Sequence, residues 1–302
     1  MKKATSRTTP MGTNRERLGS VLAALRIEHR PARLRRLLRD QGAGWVTQTY
    51  DTLDATAQSE VDAEVEDLAG RDVCVTWLGD EFYPAGLTVL DKAPAILFTI
   101  GNIDLLTAPS IGMCGSRHAS ELGLAAARNC GETVADCGLA IVSGYAKGVD
   151  TETHLAALRS DGSTVIVLAE GIRHFRKKRD FAGVGLEPAR VLVVSQFPPS
   201  QRWNVGAAMT RNGVIAGLGR ALIVIEAGET GGTLNAGLQA LEVGRPVLAL
   251  EFESQPTPAG NVQLIERGAL PVRNSKQLTE LMSRMRAPTT AAPNPVEQQV
   301  LL

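Results

Sequence analysis

The sequence has no surplus of charge, since 32 Lys and Arg balance 32 Asp and Glu. The overall basic excess that marks many nucleic-acid binders is absent, so any such site must be a local patch. Aromatic residues make up only 4%, which leaves little surface on which bases could stack. The four cysteines, Cys74, Cys114, Cys130 and Cys137, form no CxxC pair, and no histidine stands at zinc-ligand spacing. That excludes a zinc module and a disulfide scaffold, and reads as reduced, mostly buried thiols of a cytoplasmic protein. The opening MKKATSRTTP is charged and lacks the apolar stretch of a secretory signal. No apolar run is long enough to cross a bilayer, so no membrane association is expected.

What is present is a globular composition, 44% hydrophobic over 302 residues. Residues 1–14 are polar and predicted disordered. Residues 15–70 keep helical spacing, with Leu18, Val21, Leu22 and Leu25 in one run and Leu34, Leu37 and Leu38 in another. Pro31 suits a first helical turn. This stretch predicts a small helical subdomain, basic over 15–40 and acidic over 51–72. These charges read as solvated helix faces, or as a basic arm touching phosphate.

Over residues 71–286 the pattern becomes that of an α/β fold. Apolar runs fall at Val73–Leu78, Ala95–Thr99, Ser110–Cys114, Ala140–Val142, Thr164–Leu168, Val191–Val194, Ala221–Ile225 and Pro246–Leu250. Apolar on both faces, they read as buried parallel strands. Helices are predicted over Gly123–Asp136, Thr151–Arg159, Met209–Leu218 and Thr233–Val243. The alternation implies a Rossmann-like, doubly wound, mostly parallel sheet. Residues 287–302 read as a linker or tail.

Four segments carry candidate chemistry. In SIGMCGSRHASELG a strand runs into Gly115, Ser116 and Arg117, then a helix near Ser120. Such a turn offers backbone N–H groups to an anion, and Arg117 adds a charged fork, although a tight turn with a surface arginine reads equally well. The GxGxxG dinucleotide fingerprint is missing, and no cofactor is expected. In VSGYAKGVDTETHLAAL, Gly144, Lys147 and Gly148 precede a helix that Asp150 or Thr151 would cap, with Lys147 near the same sheet edge as Arg117. His154 reads as a packed histidine supporting the loop rather than a catalytic base. Arg211 and Asn212 stand within MTRNGVIAGL as a cap or as pocket residues. In VIEAGETGGTLNAGL a strand ends at Glu226 and a glycine loop opens a helix at Thr233, a second backbone anion site; Glu226 reads as an acceptor of loop N–H groups.

Taken in this order, and together with DEFYPAGLTVLDKAPAILFTIGN and GNVQLIERGA, these segments resemble the DprA/Smf family over roughly residues 77–285. The resemblance implies an extended Rossmann-like domain that binds single-stranded DNA, dimerises and hands the strand to a RecA-type recombinase in DNA recombination and natural transformation. It implies that Gly115, Ser116 and Arg117 lie in the DNA pocket, that Ser143, Gly144, Lys147, Arg211 and Asn212 line it, and that Gly231, Gly232 and Thr233 supply the second phosphate loop. The chain departs from the pattern at several points. The arginine usually following the Arg-Asn pair is Gly213, the Phe-Pro before it is Ala208-Met209, and a Ser-Glu strand end is Ser195-Gln196. Phe175 and the run Arg176–Arg179 replace a tyrosine-proline segment, and the chain ends where many members begin a winged helix.

Two alternatives compete with a strand binder. Rossmann-like nucleoside-monophosphate glycosidases carry a glutamate three residues after the loop threonine, where this chain has Ala236. No Ser-His-Asp set or carboxylate pair is legible, and no catalytic residue is expected. A nucleotide-signal sensor, as in phage defence, would use the same two anion loops for a free nucleotide.

Overall fold

A computed structural model describes residues 12–252 and 256–286. The predicted tail at 287–302 and most of the predicted 1–14 tail lie outside the described residues.

The N-terminal helices are α1 (Asn14–Ile27), α2 (Pro31–Gln41), α3 (Gly44–Gln48) and α4 (Ala55–Ala69). Helix α1 starts on a capping box, with the Thr13 hydroxyl accepting from Glu16 N and the Glu16 carboxylate accepting from Thr13 N. Its Leu18, Val21 and Leu22 join Val61, Val65 and Leu68 of α4 in one apolar cluster. Arg17 is buried with them because Asp80 pairs with it at 2.5 Å and the Trp77 ring lies 4.4 Å from its guanidinium carbon.

Nine strands then form one sheet among the described residues: β1 (Val73–Trp77), β2 (Ile96–Gly101), β3 (Ser110–Cys114), β4 (Ala140–Gly144), β5 (Thr164–Val167), β6 (Val191–Ser195), β7 (Leu222–Val224), β8 (Val247–Leu250) and β9 (Leu270–Val272). Their order is β1-β2-β6-β5-β4-β3-β7-β8-β9. From β6 through β9 all neighbours are parallel. The intervening helices are α5 (Ala85–Thr88), α6 (Glu121–Asp136), α7 (Val149–Arg159), α8 (Val205–Leu218), α9 (Gly232–Glu242), α10 (Ala259–Glu266) and α11 (Ser275–Arg286).

The sheet is mostly parallel, as expected, but the reading of the first two apolar runs as parallel strands needs correction: β1 and β2 run antiparallel to each other, with β2 also antiparallel to β6. The link between β1 and β2 carries only the four-residue α5, not the packed crossover helix that a parallel pair requires. The sequence misleads here because β2 is covered on both faces, Leu97 in one cluster and Ile96 and Phe98 in another. The structure adds strand β9, helices α5, α10 and α11, and the first turn of α8 to the elements that the sequence pattern marks.

Alternation along the strands sends Val142, Val165 and Leu192 to the face under α8, α9 and α10, and Ile111, Ile141 and Ile223 to the face under α6 and α11. The chain winds from β3 outward to β6 and then returns to place β7 on the other side of β3. Open α/β sheets form their binding crevice at such a reversal, outside the carboxyl ends of the strands.

Candidate functional site

The loops after β3 and β7 meet at that reversal and enclose a depression of about 440 Å³. Gly115, Ser116, Arg117, Asp150, Arg211, Asn212, Gly228, Thr230, Gly232 and Thr233 line it. A second depression of about 490 Å³, lined by Arg117, His118, Lys147, Glu170, Arg176 and Lys178 among others, adjoins it. Arg117, Ala146, Trp203 and Arg211 belong to both. Arg117 and Lys147 thus face one cleft, as their positions predicted.

Two helix ends near this cleft differ in what they offer. Ser120 caps α6 by accepting from Gly123 N at 3.0 Å. From the end of β7, Glu226 accepts the Ser120 N–H at 3.2 Å and the Ser120 hydroxyl at 2.8 Å. A carboxylate therefore already sits at the positive end of α6. The turn after β3 does not leave this helix end free for phosphate, and Glu226 plays the acceptor role expected of it. Helix α9 instead begins on Gly231, at φ 114° and with no side-chain cap, and its first backbone bond runs from Asn235 N to Gly231 O. Its leading N–H groups point out of the helix end beside Gly228 and Thr230. The Thr233 hydroxyl donates to Gly115 O at 3.0 Å, which ties the two loops together, and Asn212 Nδ2 donates to Gly232 O at 3.3 Å.

Neither residue expected to cap α7 does so. The cap position is Gly148, at φ 76°, where a Cβ would stand 2.4 Å from Ser116 O, so only glycine fits. Asp150 accepts from Ala146 N at 3.3 Å and the Thr151 hydroxyl donates to Ala146 O at 2.6 Å, so both brace the loop from below.

Several residues named from sequence lie beneath the cleft rather than on its surface. Ser143 is fully buried and donates to Met113 O at 2.8 Å, joining β4 to β3; it does not reach either depression. Gly144 packs so closely on Arg211 that a Cβ would overlap its guanidinium. Arg211 is 6% exposed, donates to Val167 O at 3.0 Å and stands 3.8 Å from Asp150. It forms the floor common to both depressions. His154 is fully buried between Gly144 O at 2.5 Å and the Thr164 hydroxyl at 2.6 Å. A carbonyl only accepts, so Nε2 carries the proton and Nδ1 accepts from Thr164. Burial pushes this imidazole down to about 4, which leaves it neutral beneath the loop.

The cationic side chains of the cleft that reach furthest into solvent are Arg117, Lys147 and Arg176, with the exposed His118 beside Arg117. Lys178 is more enclosed, its ammonium 4.1 Å from the centre of the Tyr145 ring and hydrogen-bonded to Tyr145 O. Glu170, at the end of β5, is an acid within the cleft that no motif announced. Among the described residues no cluster of His, Cys, Asp and Glu is fit to hold a metal ion. The four cysteines are free; burial holds the Cys114 thiol far above its usual range and pushes Cys130 up to about 12, so neither is a ready nucleophile. No helix among the described residues is long and apolar enough to cross a membrane.

A doubly wound sheet with a cleft at its reversal, and the α9 helix end opening into it, defines a Rossmann-like α/β protein. Within that class, the chain belongs to the DprA/Smf family: residues 74–283 match the family described as DNA recombination-mediator protein A. It is 30% identical over 203 residues to DNA processing protein DprA of Bacillus subtilis, covering 66% of this chain and 67% of that one. It is 36% identical over 176 residues to DprA of Streptococcus pneumoniae, covering 57% and 60%, and 35% identical over 211 residues to protein Smf of Escherichia coli, covering 66% and 54%. The match thus spans between half and two thirds of these relatives. The crystal structure of DprA from Streptococcus pneumoniae superposes with a TM-score of 0.66 at 28% identity, over 89% of this chain and 97% of that one. DprA of Helicobacter pylori, studied for its single-stranded-DNA binding mode, shares the fold with a TM-score of 0.61 at 20% identity, over 70% and 96%.

Proposed function

We propose that this protein binds single-stranded DNA in the cleft between the β3 and β7 loops and acts as a recombination mediator, delivering the strand to a RecA-type recombinase during DNA uptake. The observation that carries this reading is the pairing of an uncapped α9 terminus with Arg117 and Lys147 on one narrow sheet edge. Backbone N–H groups and a guanidinium converging on one point suit a phosphate. Two joined depressions of a few hundred Å³ accept successive units of a flexible strand but not the girth of a duplex. Membership in a recombination-mediator family, one member of which is described as binding single strands, supports the same reading.

The protein acts without catalysis in this reading. Ala236 lines the first depression where a glycosidase would carry its acid, and Glu226 is engaged by Ser120. Gly231, Gly232, Thr233, Arg117, Lys147 and Asn212 contact the strand, and Ser143, Gly144, Asp150, His154 and Arg211 hold the cleft in shape. The same reading makes the protein a cytoplasmic homodimer, with the helical subdomain at 15–70 built onto the Rossmann-like core.

Fluorescence anisotropy with single-stranded oligonucleotides, duplex of equal length and free mononucleotides at one salt concentration tests the proposal. Tighter binding of single strands, strengthening over several nucleotides, is expected. Equal affinity for duplex removes the reading, and saturation by a mononucleotide favours a nucleotide sensor.

A further inference from the structure

We infer that Trp203 forms a nucleobase-stacking subsite on the ridge between the two depressions. The inference rests on the strand-binding reading above and adds to it a contact with the base rather than the backbone.

Among the described residues, two aromatic side chains other than histidine line the cleft, Tyr145 and Trp203. Tyr145 has no free face. Its ring centre lies 5.6 Å from both Phe175 and Phe181, the Lys178 ammonium covers it at 4.1 Å, and its hydroxyl accepts from Lys178 N at 3.0 Å. Phe175 packs against the apolar cluster under the N-terminal helices. These rings build the wall.

Trp203 differs on every count. It is 48% exposed, joins none of the buried clusters, and lines both depressions. An indole this exposed contributes little to the core. The backbone nevertheless fixes its position. Gln201 O accepts from Gly171 N at 2.8 Å just before it, and Asn204 caps α8 just after it by accepting from Ala207 N at 2.8 Å. The Arg117 guanidinium lies over the indole at 5.8 Å, which steadies the ring and places a phosphate-binding cation beside a flat apolar surface. Val205 and Met209 continue that surface along the wall of the first depression. A nucleotide whose phosphate meets Arg117 has its base within reach of the indole. Stacking of this kind tolerates any base, because every base presents a π-face.

The test uses the full chain and two fluorescein-labelled oligomers of equal length, a thymidine strand and an abasic deoxyribose-phosphate strand, titrated against the parent, Trp203→Ala and Trp203→Phe. Stacking is expected to make the parent bind the thymidine strand roughly five- to a hundred-fold tighter than the abasic one. Trp203→Ala should erase that preference and leave abasic binding unchanged, while Trp203→Phe keeps most of it. Unlabelled thymidine strand should also quench tryptophan emission of the parent but not of Trp203→Phe, since Trp77 is buried and Trp45 lies outside the cleft. An undiminished preference in Trp203→Ala overturns the subsite while leaving the strand-binding reading standing. If the parent binds neither oligomer, the strand-binding reading itself falls, and the subsite with it.

Discussion

The carboxylate of Glu226 accepts both the backbone N–H and the hydroxyl of Ser120, 106 residues earlier in the chain, and so occupies the positive end of α6. The contact makes Glu226 a structural anion. Glu226→Gln keeps the acceptor geometry but removes the charge, and should lower stability by about 1 kcal/mol in chemical denaturation. The same variant bears on catalysis. The parent is expected to release no base or ribose phosphate from nucleoside monophosphates by chromatography; turnover that Glu226→Gln abolishes would restore the glycosidase reading.

Arg117 is the exposed cation at the centre of the cleft. Arg117→Ala should weaken single-strand binding alike for all sequences and reduce the slope of log affinity against log salt by about 0.7, the value for one lost single-strand phosphate contact. Lys147→Ala should behave the same way. Melting temperature should barely move, since an exposed side chain of this kind changes stability by about half a kcal/mol. Titrations at several salt concentrations decide it, and an unchanged slope in Arg117→Ala would show that the turn after β3 serves only the fold.

Arg211 should respond in the opposite sense. It lies under the cleft with Asp150 at 3.8 Å, both nearly buried, and its guanidinium holds Val167 O. Arg211→Ala leaves Asp150 without its buried counter-charge and should cost about 3 kcal/mol of stability. Arg211→Ala combined with Asp150→Asn should cost less than the sum of the two single changes. Urea unfolding of the four proteins measures this coupling, and strict additivity would mean that the pair does not interact.

His154 predicts an acid limit. Its pKa falls from 6.5 when free to about 4 when folded, chiefly because burial disfavours the imidazolium. Between those values the unfolded chain holds a proton that the folded chain refuses. The contribution is complete above about pH 6.5, is lost as pH falls towards 4, and amounts to about 3 kcal/mol. Asp150, Lys178 and Arg211 act on the same ring, with smaller and mutually opposing effects. His154→Gln should be less stable at neutral pH yet lose less stability on acidification. Parallel pH profiles of the two proteins would contradict this.

The fold was largely legible from local pattern. All eight apolar runs became strands, because strands buried on both faces are nearly continuous in Val, Ile and Leu. Direction was not legible, since β2 is just as buried as its parallel neighbours. At the site, glycines and charged residues marked the correct loops, but not which of them face solvent. Ser143 reads like Lys147 in the sequence; the Ser143 hydroxyl turns inward to Met113 O, while Lys147 stands outside. The capping of α6 by Glu226 and the support of the floor by Asp150 and Arg211 join distant segments, and no local signal announces such contacts.

The antiparallel seam between β2 and β6 also sets an order of assembly. Phe98 pairs with Ser195, so the hairpin of β1 and β2 has no neighbour in the sheet until β6 has been synthesised. Val75, Trp77 and Phe98, with the helices that rest on them, must wait through the making of β3, β4 and β5. On the ribosome the first third of this chain therefore stays unlocked until β6 has emerged, and its apolar surface is what a chaperone would meet first.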